Sequence, residues 1–221
     1  MRISWCGSYR RQVMNPQWKN MIQTQIVERG IREARVLRAM SEIDRSLFVP
    51  ERYRSRSYED GPLPIGFEQT ISQPYIVAFM TEAILPATDG EPTRALELGA
   101  GCGYQSAILS RIFSRVTSFE LVPELAELAK KNLDALKIDN VEIISGDGSR
   151  GMPGKTFHGI LGAAAFSKYP EHLEQQLEPG GKMVLPAGKE SQYLYLSENS
   201  ESGFLRKQIL AVRFVPMISE D

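Results

Sequence analysis

The chain has 221 residues, 42% of them hydrophobic and 24% charged, a composition that supports a packed core and excludes a disordered or fibrous protein. Its 26 Lys and Arg balance 27 Asp and Glu to a net charge of -1, so no overall field draws it to nucleic acid or to an anionic membrane. Cys6 and Cys102 lie far apart, with only His158 and His172 beside them, which excludes a disulfide framework and leaves no metal site expected.

No apolar run approaches the roughly 18 residues of a membrane span, and the first eleven residues lack the apolar middle of a secretory signal, so the cytoplasm is the expected compartment. From Pro16 to Ile43 apolar residues recur at three- and four-residue steps (Trp18, Met21, Ile22, Ile26, then Ala34, Leu37, Met40), predicting two amphipathic helices with Gly30 ending the first. Between Pro50 and Gly66 the pattern breaks into a loop, where Arg52, Arg54 and Arg56 are flanked by acids and read as a solvated face rather than an anion site. Tyr75 to Leu85 reads as a helix stopped by Pro86. Ala95 to Leu98 is a short strand running into Gly99, Gly101 and Gly103, with a helix from Ser106 to Ile112 beyond.

Val116 to Phe119 forms a second strand ending at Glu120, and Pro123 opens a strong helix. Val141 to Ile144 is a third strand, closed by Gly146-Asp147-Gly148, and Phe157 to Ala164 a fourth. Glu171 to Leu177 reads as a helix and Lys182 to Leu185 as a fifth strand after Pro179-Gly180-Gly181. Alternation of strands and helices implies a mostly parallel sheet covered on both faces. Gln192 to Leu196 and Leu205 to Val215, joined by a polar segment without a helix, predict an antiparallel C-terminal hairpin. One domain is expected: a loose extension over 1–14, a helical substrate-side part over 15–90, and a cofactor-binding sheet over 91–221.

The glycines let the chain turn tightly at a strand's carboxyl end and let a ligand approach its amides. Glu120, 21 positions past Gly99, stands where an acid accepts hydrogen bonds from both hydroxyls of a ribose. A dinucleotide fingerprint would place a glycine at Tyr104, so a pyrophosphate is not expected. S-adenosylmethionine, with a ribose and no phosphate, fits better. Asp147 either accepts from the adenine amino group or caps the following turn. Gly154-Lys155-Thr156 resembles the end of a phosphate loop, but Ser149 occupies the place of its first glycine and Pro153 interrupts it.

Ile65-Gly-Phe-Glu-Gln-Thr-Ile-Ser-Gln-Pro-Tyr-Ile76, Leu96-Glu-Leu-Gly-Ala-Gly-Cys-Gly-Tyr-Gln105 and Gly146-Asp-Gly148 together resemble the protein-L-isoaspartate O-methyltransferases, over about Gln25 to Pro216. The resemblance implies a Rossmann-like S-adenosylmethionine-dependent methyltransferase fold. It also implies methylation of the α-carboxylate of L-isoaspartyl residues in damaged peptides and proteins, leaving S-adenosylhomocysteine. By matching position, Ser72 is the active-site serine, Gln69, Thr70, Ile71 and Ala163 belong to the substrate side, and Glu97, Gly99, Gly101, Gly103, Glu120, Asp147 and Gly148 to the cofactor side. A monomer is expected, with neither nucleic acid nor membrane as partner.

Thr70 and Ser72 have a plainer reading, as hydroxyls bonding a turn before Pro74. His158 and Ala163 stand where the family usually has an acid and a threonine, which predicts altered handling of the acceptor with cofactor binding intact. Three alternatives stay open on the residues alone: a carboxyl methyltransferase acting on another peptide or small acid, a catalytically silent nucleoside-binding relative, and a hydrolase using Ser72 and a histidine. The last lacks a G-x-S-x-G elbow.

Overall fold

The computed structural model describes residues 14–87 and 93–218; the expected N-terminal extension lies outside them except for Met14. Asn15 caps the first helix by accepting from the Trp18 amide at 2.9 Å, and Pro16 begins it without wasting a donor. This helix, α1 (Pro16–Met21), runs on as a π-helical segment, Ile22–Val27, and ends near Gly30 at φ 101°. The Trp18 indole donates to the Met40 carbonyl at 3.1 Å, fastening α1 to α2 (Ala34–Glu42). Two 3-10 turns follow, Arg45–Phe48, for which the sequence makes no prediction, and Glu51–Arg56, where it predicts loop. In the second of them Arg54 pairs with Glu51 and Arg56 with Glu59, as a solvated face.

A small hairpin was not expected at all. Strands β1 (Leu63–Gly66) and β2 (Gln69–Ile71) pair antiparallel around Phe67 and Glu68, both in the left-handed region at φ 51° and 58°. Helix α3 (Pro74–Ala83) leads into the main sheet. Its strands are β3 (Arg94–Leu98), β4 (Arg115–Glu120), β5 (Val141–Ser145), β6 (Phe157–Gly162), β7 (Leu177–Ala187), β8 (Gln192–Ser200) and β9 (Gly203–Val212), in the order β5-β4-β3-β6-β7-β8-β9. The first five are parallel and β8 and β9 antiparallel, the predicted class. Helices α4 (Tyr104–Leu109), α5 (Pro123–Ala135) and α6 (Glu171–Glu174) complete the chain.

Several boundaries move for local reasons. The helix expected to reach Leu177 stops at Glu174, because Leu177 already pairs with Phe157 in β7. Pro179-Gly180-Gly181 lies inside β7 as an irregularity rather than before it. A Cβ at Gly181 would fall 2.8 Å and 2.9 Å from the carbonyls of Glu178 and Phe157, so the strand can deform there only with glycine. The polar stretch expected to join the hairpin is mostly strand, leaving Glu201 and Ser202 as the turn. Glu174 anchors the hairpin. Its carboxylate accepts from Tyr169, Ser197 and Arg206, and this set of neighbours holds it below the usual carboxylate range despite burial.

Buried residues of α1, α2, α4 and α5 form one cluster, to which Leu63, Ile65 and Ile71 of the small hairpin belong. The N-terminal helices thereby carry that hairpin to the carboxyl ends of β3 and β4. His158, at the start of β6, accepts from the Arg94 amide at 3.2 Å, at the other end of the strand. Gly159 beside it is fixed by packing: a Cβ would lie 2.7 Å from the Phe113 ring.

Candidate active site

A cavity of about 470 Å³ opens outside the carboxyl ends of β3, β4 and β6, where the strand order reverses. This is the position at which open parallel sheets bind ligands. Its floor is the glycine loop. The amides of Gly99 and Ala100 both donate to the Phe119 carbonyl, at 2.8 Å and 2.9 Å, Gly103 donates to Ala100, and Gly101 donates to Glu120 Oε2 at 2.7 Å. The expectation that these amides cradle the ligand is thus corrected: they lock the loop onto β4. A loop with these four donors already engaged suits an uncharged nucleoside rather than a phosphate.

Glu120, the last residue of β4, is 6% exposed and lines the cavity. Its oxygens accept from Gly101 and, at 3.0 Å, from the Val122 amide, so the carboxylate is fixed with lone pairs remaining for a diol. Gly148 lines the cavity because nothing larger fits; a Cβ there would stand 2.6 Å from the Phe119 Cβ.

Three residues expected at the cofactor do not line the cavity. Glu97 is fully buried behind the loop, accepting from Ser106 and Ser118 hydroxyls at 2.5 Å and 2.6 Å and tying β3 to α4 and β4. Burial without a cation pushes its carboxyl up to about 7. Gly103 begins α4 at φ 85°, and a Cβ would press to 3.2 Å on Ala129, so it serves helix packing. The Asp147 carboxylate accepts from the Ser149 amide at 2.7 Å and hydroxyl at 3.0 Å, the turn-capping alternative, while Gly146 and Gly148 on either side reach the cavity.

The opposite wall is the lip formed by Gln69, Thr70, Ile71, Ser72 and Gln73, with Ala163 across from it beside Gly99. Among the described residues the Thr70 and Ser72 hydroxyls make no hydrogen bond, so the turn-bonding alternative does not hold and both are available to a ligand. Of the two departures tied to the acceptor, only Ala163 lies here; His158 is at the wrong end of β6, which corrects the link drawn for it.

The sequence reading gave two further elements no place in the site. Arg45 is fully buried beneath the lip and donates to the carbonyls of Ser57 (2.5 Å), Gly61 (3.0 Å) and Ser72 (3.0 Å); burial lowers its pKa. The second is residues 211–218, which close the far side. They are held by Gln192, which accepts from the Phe214 amide at 2.6 Å, and by exchanges of Ala165 with Val215 and Met217. Both contacts join residues remote in sequence, so no local pattern announces them.

Cys102 lines the cavity as a buried neutral thiol, pushed up to about 12 by desolvation, and is no nucleophile. Neither histidine lines the cavity, and His172 lies 3.0 Å from the Ser149 carbonyl, which removes the serine–histidine hydrolase. Among the described residues no cluster suits a metal ion and no helix is long and apolar enough to cross a membrane.

Comparison with known proteins bears on the same residues. The family model described as "Protein-L-isoaspartate(D-aspartate) O-methyltransferase (PCMT)" matches residues 16–221, more of the chain than the motifs span. A protein-L-isoaspartate O-methyltransferase of Methanoregula boonei is 45% identical over 204 residues, 91% of this chain and 93% of the relative. That of Bordetella avium is 47% identical over 191 residues, 85% and 72% of the two chains. A solved protein-L-isoaspartate O-methyltransferase, 28% identical, superposes with a TM-score of 0.78 over 90% of this chain and 65% of its own. A Plasmodium falciparum structure with S-adenosyl-L-homocysteine shares the fold at 24% identity, with a TM-score of 0.78 over 94% of this chain and all of its own. The chain belongs to the protein-L-isoaspartate O-methyltransferase family.

Proposed function

We propose that the chain is a protein-repair enzyme that methylates the α-carboxylate of L-isoaspartyl residues at the expense of S-adenosylmethionine. Once esterified, that carboxyl carbon is a better electrophile with methanol as its leaving group, so the next backbone nitrogen displaces methanol and closes a succinimide, which hydrolyses in part to normal aspartate. The observation that carries the reading is one continuous cavity bounded by Glu120 and the glycine loop on one side and by the Thr70–Ser72 lip on the other.

The residues present fit the cofactor. Glu120 has the fixed carboxylate a ribose diol needs, and the internally bonded glycine loop leaves a smooth floor. Gly146 and Gly148 leave space for the adenine next to it. When bound, S-adenosylmethionine supplies an electrophilic methyl on sulfur.

The acceptor carboxylate is ionised near neutral pH and needs no base. Its oxygen forms the O–CH3 bond as the S–CH3 bond breaks, with the electron pair left on sulfur and no proton moved. The protein's work is therefore alignment and exclusion of water. Ser72 and Thr70 donate hydrogen bonds that orient the acceptor, while Ile71, Leu98 and Ala163 keep the meeting point dry. Ser72 is a positioning group rather than a nucleophile. The test is transfer of labelled methyl to an isoaspartyl peptide beside its aspartyl twin; selective labelling of the first is expected, and equal labelling or none would refute the reading.

A further inference from the structure

Among the described residues, the cavity lining holds one acid, Glu120, and one cation, Arg213. They sit on different walls. Across the sheet, Gly146 and Gly148 follow β5, Glu120 ends β4, Gly99 follows β3, Ala163 follows β6, and residues 211–218 close the side beyond. With Glu120 holding the ribose, Ala163 and the lip are the walls that would be left to the reacting groups. The acceptor then enters between the lip and the 211–218 segment, where Arg213 stands.

Arg213 has no hydrogen-bond or ion-pair partner among the described residues. Other surface arginines are engaged: Arg29 is occupied by Asp60 and the Tyr75 ring, and Arg56 by Glu59. The segment carrying Arg213 is also fixed on both sides, through Gln192 to Phe214 and through Ala165 to Val215. A free guanidinium on a fixed wall, across the cavity from its acid, suits one ligand class, a carboxylate held by paired N–H donors.

We propose that Arg213 is a specificity-determining residue that binds the carboxylate of the acceptor. This rests on the methyltransferase reading above and adds a consequence to it. The substrate is an anion and the ester is neutral, so an arginine here binds the acid and lets go of the product. The cofactor also carries a carboxylate, on its methionyl end, and the experiment separates the two sources.

Arg213→Gln and Arg213→Lys proteins are compared with wild type for methyl transfer, and for binding of an isoaspartyl peptide and of S-adenosylhomocysteine by calorimetry. In Arg213→Gln the peptide KM and Kd should rise roughly tenfold, the size of one lost charged hydrogen bond. S-adenosylhomocysteine binding should stay within about twofold, and Arg213→Lys should recover part of the loss. KM should rise with salt in wild type, and this rise should flatten in Arg213→Gln. Weakened S-adenosylhomocysteine binding with peptide binding unchanged would assign the arginine to the cofactor and overturn the proposal. Wild type that methylates and binds the peptide, with Arg213→Gln indistinguishable from it, would overturn the proposal alone; wild type that does neither would overturn the functional reading as well.

Discussion

Arg45 is the residue on which the shape of the lip most depends. Its guanidinium is fully buried, has no carboxylate within ion-pair distance among the described residues, and donates to the carbonyls of Ser57, Gly61 and Ser72. Arg45→Met keeps the length of the side chain and leaves those three oxygens without that donor. An orphaned buried carbonyl costs about 1–3 kcal/mol. The Ser57 oxygen is buried and bears that in full, whereas the other two bonds are only partly buried and count for less. Removing a buried cation returns part of its desolvation cost. The net expectation is a loss of about 3 kcal/mol in urea unfolding, with Arg45→Lys recovering a minor share because an ammonium cannot span the carbonyls as a planar fork does. Methyl transfer should fall more than tenfold, since the carbonyl of Ser72 itself is released. S-adenosylhomocysteine affinity should change less than about threefold, because the glycine loop is fastened separately to β4. A stability change under about 0.5 kcal/mol, or turnover equal to wild type, would refute this account of the lip.

Three other substitutions probe separate parts of the site. Glu97 carries its proton up to about pH 7 when folded and only to about 4.5 when unfolded, so the folded state binds the extra proton between those values. Its contribution is complete below pH 4.5 and is lost as the pH rises through 7, on the order of 3 kcal/mol, and Glu97→Gln should flatten that limb of the stability curve; equal slopes for the two proteins would contradict it. Gly148→Ala forces a methyl to within 2.6 Å of the Phe119 Cβ, which cannot swing away, so a stability loss of about 1–3 kcal/mol and at least tenfold weaker S-adenosylhomocysteine binding are expected by calorimetry; full affinity would count against the tight wall. Ser72→Ala should slow methyl transfer by roughly 10- to 100-fold with cofactor affinity nearly unchanged, and an unaltered rate would remove Ser72 from the mechanism.

The parts legible in sequence are those whose signal is local. Strand, glycine loop and helix around Gly99, and Glu120 at the end of the next strand, follow one another within about 25 residues, and both sides of the loop are bounded by sharp changes of pattern. Glu97 and Glu120 show the limit of that reading. Both are acids near the end of a short apolar strand, and a parallel strand covered on both faces has no alternation to say which way a side chain points. Glu97 stands one place inside β3 and turns into the core, whereas Glu120 ends β4 and turns to the cavity. The β1–β2 hairpin was hidden for another reason. Its strands have four and three residues, Pro64 interrupts the first, and the turn uses Phe67 and Glu68 in left-handed conformations that usually call for Asn or Gly. Tertiary packing of Leu63, Ile65 and Ile71 holds it in place of any local preference.

The inventory of the cavity also separates methyl transfer from the chemistries its serine first suggests. Acyl transfer needs a base beside the hydroxyl and donors aimed at an oxyanion. Here no histidine reaches Ser72, the one thiol is held neutral, and four amides of the nearby glycine loop are already bonded within the protein. Methyl transfer from a sulfonium to a carboxylate needs none of these. It brings a cation and an anion together and ends with two neutral groups at the reacting centre. Water, which solvates the separated charges best, therefore opposes it, and a dry wall lowers the barrier. Ile71, Leu98, Phe119, Val122, Ala163 and Phe214 form such walls, with Glu120 on one side of the cavity and Arg213 on the other. Introducing a charge at Ala163, between those two, would hydrate the meeting point and slow the reaction even with both ligands bound.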